Sequence, residues 1–291
     1  MQEKAERNEH YVKFSDEITK GKNIRVKGDE VQKGDLVIPR GTILTPGVVG
    51  FLATMGIESC SVYDKPVISI LSTGDECQSS NTELRYGQIF ESNSIMLQKA
   101  LEEYGFKVKL RTHSADTYED TKSKVIHLLN TSDVLIVTGG ISVGDHDYVG
   151  RCIRDIGVKE LIYKIKQKPG KPFYFGRQQN KIVLALPGNP ASSLTCLYQY
   201  GIPAIKLLAG TNSKDIFPQE VKMILNHNHT KKGDRPEFLR SFYHPTKSLV
   251  DILTKQRSSM LHSYALANCL VFLKEGRYEI KAGSEISGYL I

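Results

Sequence analysis

The middle of the chain alternates short apolar runs with longer amphipathic stretches. The apolar runs Val67–Leu71, Asp133–Val137 and Val183–Leu186 are typical of strands that are buried on both faces of a parallel sheet. Amphipathic periodicity between and after these runs predicts three helices, namely Ser92–Tyr104, Asp120–Leu129 and Ala191–Leu208. This alternation predicts an α/β fold, a three-layer, doubly wound and mostly parallel sheet over residues 66–215.

The two flanks of the chain have a different pattern. Residues 22–65 read as a small β-rich linker domain, with short strands at Val26–Val31 and Lys33–Ile38 and one helix over residues 46–56. Residues 1–21 are polar, and we expect either a flexible extension or the remnant of a further N-terminal domain. Residues 216–291 predict a separate β domain, with strands at Glu220–Ile224, Glu237–Phe242 and Cys269–Leu273.

The composition is that of an ordinary globular protein. Hydrophobic residues make up 40% and charged residues 24% of the 291 positions, which excludes disorder for the bulk of the chain. No apolar run approaches the length of a membrane span, and the charged N-terminus excludes a signal peptide. The five cysteines are scattered without a Cys-x-x-Cys pair, which favours the reducing cytoplasm over a disulfide framework or a zinc site. We therefore expect a cytoplasmic protein with no membrane partner.

The formal charge of +7 is concentrated in one stretch of the chain. Residues 159–181 hold seven basic side chains and one acidic side chain. A single cluster favours a small anionic ligand, whereas a nucleic-acid partner would favour a diffuse basic surface. Within the cluster, Pro169 and Pro172 stiffen a loop that presents Lys168 and Lys171 as an anion clamp, the alternative being a solvated charge run.

Ligands of doubly wound sheets bind beyond the carboxyl ends of the strands, and three strand ends here carry unusual loops. The first loop, Ser72–Glu76, places adjacent carboxylates beside a glycine, which suits either a metal ion or ligand hydroxyl and amine groups; a capped turn is the alternative. The second loop, Thr138–Asp147, has three glycines within six residues, which favours an anion held by backbone N–H groups over a plain tight turn.

The third loop, Leu186–Ser192, begins a helix. Asn189 suits the N-cap and Pro190 the first helical position, but capping does not require the preceding Pro187-Gly188 or Ser192, which would be useful where N–H groups are kept free for a phosphate. Three further positions stay open on residue chemistry alone. Asp116 either supplies a further carboxylate to the ligand site or caps a helix. Arg240 is either a ligand contact or a charge on a surface strand. The Ser258-Ser259 pair is equally ambiguous.

Glycine-rich loops, a lysine clamp and several carboxylates indicate a phosphorylated ligand with a divalent cation, and hence phosphoryl or nucleotidyl chemistry. Five motifs in one order extend this interpretation: Ser72–Glu76, Gly87–Ser94, Gly139–Tyr148, Lys168–Pro172 and Pro187–Pro190. From about Gly21 to the C-terminus, the chain resembles the molybdopterin molybdenumtransferase (MoeA) family, whose relatives include the E domain of gephyrin. The resemblance implies a molybdopterin-binding α/β fold followed by a C-terminal β-barrel-like domain.

The same resemblance implies a reaction and a partner set. The family converts adenylylated molybdopterin and molybdate into molybdenum cofactor and AMP with Mg²⁺, as a homodimer, with a molybdopterin adenylyltransferase as a possible upstream partner. Family members usually carry an elongated domain ahead of the equivalent of Gly21, so we expect a fragment or a short form with weakened activity. The alternatives are a molybdopterin adenylyltransferase and a non-catalytic dimeric scaffold or ligand-binding module.

The family's functional residues carry over motif by motif. The acidic residues near the metal and the scissile pyrophosphate are Glu76, Asp116 and Asp147, with Glu76 and Asp147 as metal ligands. The remaining candidates bind substrate: Thr73, Gly74, Asp75, Gly139, Gly140, Ser142, Gly144, Lys168, Lys171, Pro187, Gly188, Asn189, Ser192, Arg240 and Ser258. Ser259 competes with Ser258 for the same motif position. Lysine, arginine and hydroxyl donors suit molybdate because it is a dianion.

Overall fold

A computed structural model describes residues 5–15, 19–141 and 148–291. The chain forms two compact units, residues 1–54 and residues 55–291. The first unit contains the antiparallel strands β1 (Ala5–Arg7) and β2 (Val12–Phe14) and the helix α1 (Pro46–Thr54). The helix expected over residues 46–56 is therefore confirmed, ending two residues early.

The two strands expected at Val26–Val31 and Lys33–Ile38 are wrong, because both segments form turns and irregular structure. The Asp29 carboxylate accepts the Val26 N–H at 2.7 Å, and the Asp35 carboxylate accepts the Gln32 N–H at 2.8 Å. Such local bonds satisfy backbone donors that a sheet ladder would otherwise use. The segment between residues 22 and 45 is a series of turns.

The second unit begins with an α/β part. Its elements are β3 (Ile68–Thr73), β4 (Cys77–Gln78), β5 (Ile89–Phe90), α2 (Asn93–Glu103), β6 (Val108–Ser114), α3 (Tyr118–Thr131), β7 (Val134–Thr138), α4 (Tyr148–Asp155), β8 (Lys159–Tyr163), β9 (Tyr174–Gln178), β10 (Lys181–Leu186), α5 (Pro190–Cys196) and α6 (Ile202–Leu208). All three apolar runs are strands, and all three predicted helical stretches are helical.

The main sheet has the strand order β6-β3-β7-β10-β9-β8. Strands β6, β3, β7 and β10 are parallel, while β9 and β8 are antiparallel additions at one edge. Successive side chains of a strand point to opposite faces, so each central strand supplies two hydrophobic clusters. One cluster packs on α2, α5 and α6, and the other packs on α3 and α4. The predicted three-layer, mostly parallel architecture is confirmed.

One predicted helix is not continuous. Between α5 and α6, Leu197–Gly201 forms a π-helical turn instead of a regular α-helix. Pro203 has no N–H to donate to the carbonyl of residue 199, and the wider turn immediately before α6 accommodates it.

The C-terminal part of the second unit is built of short strands around one small helix. Its elements are β11 (Glu220–Leu225), β12 (His229–Lys231), β13 (Glu237–His244), β14 (Leu249–Ile252), α7 (His262–Leu266), β15 (Cys269–Leu273), β16 (Tyr278–Ile280) and β17 (Glu285–Leu290). Strands β11, β14, β13, β15 and β17 close into a barrel in that order, around a core that includes Met223, Leu239 and Val250. The expected β-barrel-like fold of the C-terminal part is confirmed. Across the described ranges, none of the helices has the length and apolar character needed to cross a membrane.

Candidate functional site

A cavity of about 860 Å³ opens where the carboxyl ends of β3, β7 and β10 meet. Parallel strands bring their carboxyl ends to one edge of the sheet, so loops that are distant in sequence become neighbours. Nine of the predicted site residues line this cavity: Thr73, Gly74, Glu76, Asp116, Gly139, Gly140, Pro187, Gly188 and Asn189. Three others, Ser142, Gly144 and Asp147, lie outside the described residues.

The first two loops approach each other so closely that only glycine fits at the contact. Gly139 has a φ of +93°, and a Cβ atom built on it would lie 2.6 Å from Thr73 Oγ1 and 2.7 Å from the Thr73 carbonyl oxygen. Gly74 has a φ of +126°, and its Cβ would lie 2.7 Å from a Glu76 carboxylate oxygen. The glycines therefore serve the packing of the cavity wall as well as backbone conformation.

Two neighbouring carboxylates hold their loops together through backbone donors. The Asp116 N–H donates to Asp75 Oδ1 at 2.9 Å, and the Asp75 N–H donates to Asp116 Oδ2 at 3.3 Å. Asp116 lies on the wall of the cavity, whereas Asp75 is not among the described wall residues. Asp75 thus contributes the connection between the loops that follow β3 and β6.

The sequence assigns no chemistry to the residues around the start of α2, although Glu91, Ser92 and Asn93 all line the cavity. Asn93 Nδ2 donates to Thr138 Oγ1 at 2.9 Å and to the Gly188 carbonyl at 2.7 Å, which joins the second and third loops. The Glu91 carboxylate accepts the N–H of Ser94 at 2.8 Å and so holds the start of the helix. Both residues lie in the Gly87–Ser94 motif, and that motif was the available signal.

One wall of the cavity is acidic. Burial raises the pKa of the Cys77 thiol to about 12, and the negative charges of Glu76, Glu91 and Asp116 add to this effect. Carboxylate oxygens are the ligands that Mg²⁺ prefers, and it is commonly held by one or two carboxylates together with substrate phosphates. The described residues contain no group of three His, Cys, Asp or Glu side chains arranged to hold a metal alone. Glu76 and Asp116 fit such a partial ligand set.

Lys168 and Arg240 line a second, smaller cavity of about 200 Å³ between the lysine loop and the barrel. Lys168 Nζ lies 3.3 Å from Glu237 Oε1. Arg240 is fully buried, so its interpretation as a surface strand charge is wrong. Its guanidinium donates to Ser263 Oγ at 3.1 Å and to the Lys255 and Arg257 carbonyls at 3.2 and 3.1 Å. Burial lowers the pKa of this guanidinium.

The remaining predicted residues lie around the two cavities. Lys171 is exposed and Ser192 is buried in the first turn of α5; neither is among the described wall residues. The Ser258 carbonyl accepts the Ala191 N–H at 3.0 Å, so this first-turn donor is not kept free as expected. Ser259 is the serine of the pair that lines the larger cavity.

The α/β part and its strand-end cavity are those of a doubly wound protein that binds its ligand beyond the carboxyl ends of the strands. Residues 69–207 match the model of a probable molybdopterin binding domain. Residues 1–56 match the MoeA N-terminal region (domain I and II), and residues 222–291 match the MoeA C-terminal region (domain IV).

The similar proteins are named molybdopterin molybdenumtransferase or MoeA. The molybdopterin molybdenumtransferase of Haemophilus influenzae is 32% identical over 291 residues, which cover 99% of this chain and 72% of that relative. The protein of that name from Staphylococcus aureus is 29% identical over 271 residues, covering 92% of this chain and 64% of the relative. The crystal structure of the molybdopterin biosynthesis MoeA protein from Pyrococcus horikoshii superposes with a TM-score of 0.79 at 26% identity, covering 100% of this chain and 70% of that one.

The chain belongs to the molybdopterin molybdenumtransferase family, a family of enzymes of molybdenum cofactor biosynthesis. The predicted family resemblance is therefore confirmed. The chain spans between 64% and 72% of the length of these two curated relatives.

Proposed function

We propose that this chain inserts molybdate into adenylylated molybdopterin and releases AMP. One observation carries the proposal: the loops after β3, β7 and β10 meet around one large cavity with Glu76 and Asp116 on its acidic wall. This cavity offers a glycine-lined surface for a pterin phosphate and carboxylates for a cation on the pyrophosphate. Family membership supplies the reaction that needs both.

The glycine turn and its neighbours would bind the pterin end of the substrate. Thr73 is buried, and its Oγ1 has no hydrogen-bond partner among the described residues. A buried hydroxyl without a partner is costly, so a ligand donor or acceptor near it would gain binding free energy. Gly139, Gly140 and Gly188 line the same part of the cavity, and Ser142 and Gly144 are proposed to extend this surface.

We propose Mg²⁺ as the cofactor, with Glu76 and Asp147 as its protein ligands and Asp116 nearby. When bound, the cation would neutralise phosphate charge and polarise the bond to the leaving AMP. The two side chains would orient the cation against the pyrophosphate. The support is the pair of carboxylates on the cavity wall, Glu76 and Asp116, since a cation held by one or two carboxylates commonly shares its remaining positions with substrate phosphates.

Molybdate is proposed to bind at the lysine loop. Lys168 and Arg240 line the smaller cavity, and Lys171 lies three residues further along the same loop. A tetrahedral dianion needs several N–H donors, which Lys168 and Lys171 supply. Arg240, whose Nε and Nη2 already donate within the protein, would add positive charge to the site. Ser192 and Ser258 are proposed to complete the oxyanion-binding set.

The test is molybdate-dependent release of AMP from adenylylated molybdopterin by the purified chain. Glu76→Gln keeps the shape of the side chain but removes its charge, and we expect at least a tenfold loss of turnover, consistent with loss of a metal ligand. Glu83→Gln in the exposed part of the same connection is the matched control and should leave turnover unchanged. Wild-type turnover in Glu76→Gln would contradict the site assignment.

The rival activity is adenylylation of molybdopterin by ATP, and the names of the curated relatives do not favour it. If this chain has the rival activity, it will form adenylylated molybdopterin from molybdopterin and ATP without molybdate. A dimeric scaffold would bind the substrate without either turnover. The three possibilities therefore separate in one set of assays.

We also propose a homodimer that receives its substrate from a molybdopterin adenylyltransferase. The support is the family resemblance. Light scattering on the purified chain would give a mass near twice 32.6 kDa for the dimer. A monomer at micromolar concentration would contradict the assembly but not the reaction.

A further inference from the structure

Glu237, the first residue of β13, is an acidic side chain inside the region that we propose binds molybdate. Only 5% of the residue is exposed, and it lines the smaller cavity together with Lys168 and Arg240. A buried carboxylate is unfavourable unless it has a partner, and it repels an anion in the same cavity. Its presence there therefore calls for a role that offsets both costs.

The partner of Glu237 is Lys168, at 3.3 Å between Oε1 and Nζ. The lysine side chain is 54% exposed, whereas the glutamate side chain is 7% exposed. A lysine ammonium has three N–H donors, so one contact to Glu237 leaves two donors for a ligand. The carboxylate thus fixes the direction of the ammonium without consuming it.

The backbone around this pair is already fixed. The Lys168 N–H donates to the Pro236 carbonyl at 2.9 Å, and the Phe238 N–H donates to the Lys168 carbonyl at 2.8 Å. The lysine loop is therefore attached to β13 on both sides of Glu237. What remains free is the flexible four-carbon side chain of Lys168.

We propose that Glu237 is a positioning residue that directs the Lys168 ammonium toward the oxyanion. This inference rests on the proposed function and adds to it a residue outside the predicted site. Because the effect passes through one lysine, it concerns binding of molybdate and not binding of adenylylated molybdopterin.

The same loop offers a matched control. Lys166 Nζ pairs with Glu275 Oε2 at 2.7 Å, two residues before Lys168, but both side chains are well exposed and lie outside the described cavity walls. Removing Glu275 changes the charge of the loop by the same amount as removing Glu237. A general electrostatic effect would therefore appear in both variants, and a positioning effect in one.

The first experiment measures steady-state AMP release. In Glu237→Gln we expect the KM for molybdate to rise by about three- to tenfold, with kcat and the KM for adenylylated molybdopterin unchanged. Glu275→Gln should leave all three constants unchanged. An unchanged or lowered molybdate KM in Glu237→Gln would overturn the proposal, since loss of charge alone would favour the anion.

A double variant guards against misfolding caused by an unpaired buried group. Lys168→Met combined with Glu237→Gln removes both charges, and neutral replacement of a buried pair is well tolerated. If Glu237 acts through Lys168, the double variant has a molybdate KM equal to that of Lys168→Met, or lower because a repelling carboxylate has been removed. A further rise in KM in the double variant would overturn the proposal.

A second readout does not depend on turnover. Acylation of lysines, followed by mass spectrometry, should show faster modification of Lys168 in Glu237→Gln and of Lys166 in Glu275→Gln, each with the other lysine unchanged. Wild-type labelling of Lys168 in Glu237→Gln would overturn the positioning role. If the wild-type chain released no AMP while this labelling pattern held, the proposed function would fail and the Glu237–Lys168 coupling would stand.

Discussion

At the scale of single residues, substitution of Gly139 tests the close contact between Gly139 and Thr73. We expect Gly139→Ala to destabilise the protein by about 2–4 kcal/mol, because it combines left-handed strain with a clash against Thr73. Gly283 has a similar φ of +85° but nothing within 4 Å of its Cβ, so Gly283→Ala isolates the strain, about 1 kcal/mol. Urea unfolding of both variants measures the difference. Equal losses would mean that the two loops are not in contact.

The cysteines predict a pattern of thiol reactivity. Cys60 is exposed, whereas burial and nearby carboxylates raise the pKa of Cys77 to about 12. A raised pKa keeps the thiol protonated, so at pH 8 only about one Cys77 side chain in ten thousand is a thiolate. We expect one fast-reacting thiol with an aromatic disulfide reagent, lost in Cys60→Ser. Fast labelling of Cys77 in that variant would contradict the acidic cavity wall.

Residue chemistry could be predicted where a motif required it and was missed where a role depends on contacts between loops. Glu76 and the Gly139-Gly140 pair follow from strand ends and loop composition. Asn93 joins two loops that are 45 and 95 residues away from it, and nothing local indicates such bonds. The burial of Arg240 could not be predicted from its strand either. An arginine is normally exposed, and this one is buried because distant backbone carbonyls accept hydrogen bonds from its guanidinium.

At the scale of elements, apolar runs predicted the central strands because β3, β7 and β10 are covered on both faces. The same reasoning failed at residues 26–38, where alternating apolar positions have aspartates that close local turns. Strand β14 was not predicted because it has four residues and little pattern of its own. Its place in the barrel is set by pairing with β11 and β13.

Asp251 in β14 connects three barrel strands and predicts a pH-dependent stability. Its carboxylate accepts the amide of Asn226 just after β11 at 2.8 Å and lies 2.8 Å from Nε2 of His244 in β13. The Asn226 bond is the main cause that lowers the pKa of Asp251, with His244 and His227 adding to it against the opposing effect of burial. A lowered pKa stabilises the fold above the unfolded value and loses that effect as the pH falls through the folded value.

We therefore expect Asp251→Asn to lose about 1 kcal/mol at pH 6, a figure that allows for the partial exposure of the carboxylate. The difference from wild type should shrink as the pH falls below about 4, the pKa of an ordinary carboxyl group. Urea unfolding at these pH values is the measurement. Glu285→Gln, which removes an exposed pair with Lys222, should change stability by less than about 0.5 kcal/mol. A difference that stays the same as the pH falls below about 4 would refute the role of the charge.

At the scale of the whole molecule, the total charge of +7 says less than its distribution. Part of the basic cluster serves internal contacts. Lys181 donates to the Leu129 carbonyl, Lys166 pairs with Glu275 and Lys168 pairs with Glu237. The stretch therefore connects the α/β part to the barrel as well as offering donors to an anion. A charge count along the sequence cannot separate these two uses, since the acidic partners lie about 70 to 110 residues away.

The contacts between the α/β part and the barrel predict that both lose structure together. The Thr195 and Tyr264 hydroxyls are 2.5 Å apart, and Arg235 Nη1 donates to the Gln167 carbonyl at 3.1 Å. Tyr264→Phe should lower the free energy of unfolding by about 1 kcal/mol. Because we expect the two parts to unfold in one cooperative step, hydrogen exchange should accelerate in β7 and β13 alike. The chain has no tryptophan, so exchange measured by mass spectrometry is preferable to fluorescence. Tyr278→Phe, which removes a bond from Tyr278 in β16 to the nearby Lys274 carbonyl, is the control and should affect only β16 and its surroundings. Acceleration confined to barrel peptides in Tyr264→Phe would show instead that residues 216–291 open independently, as a separate domain would.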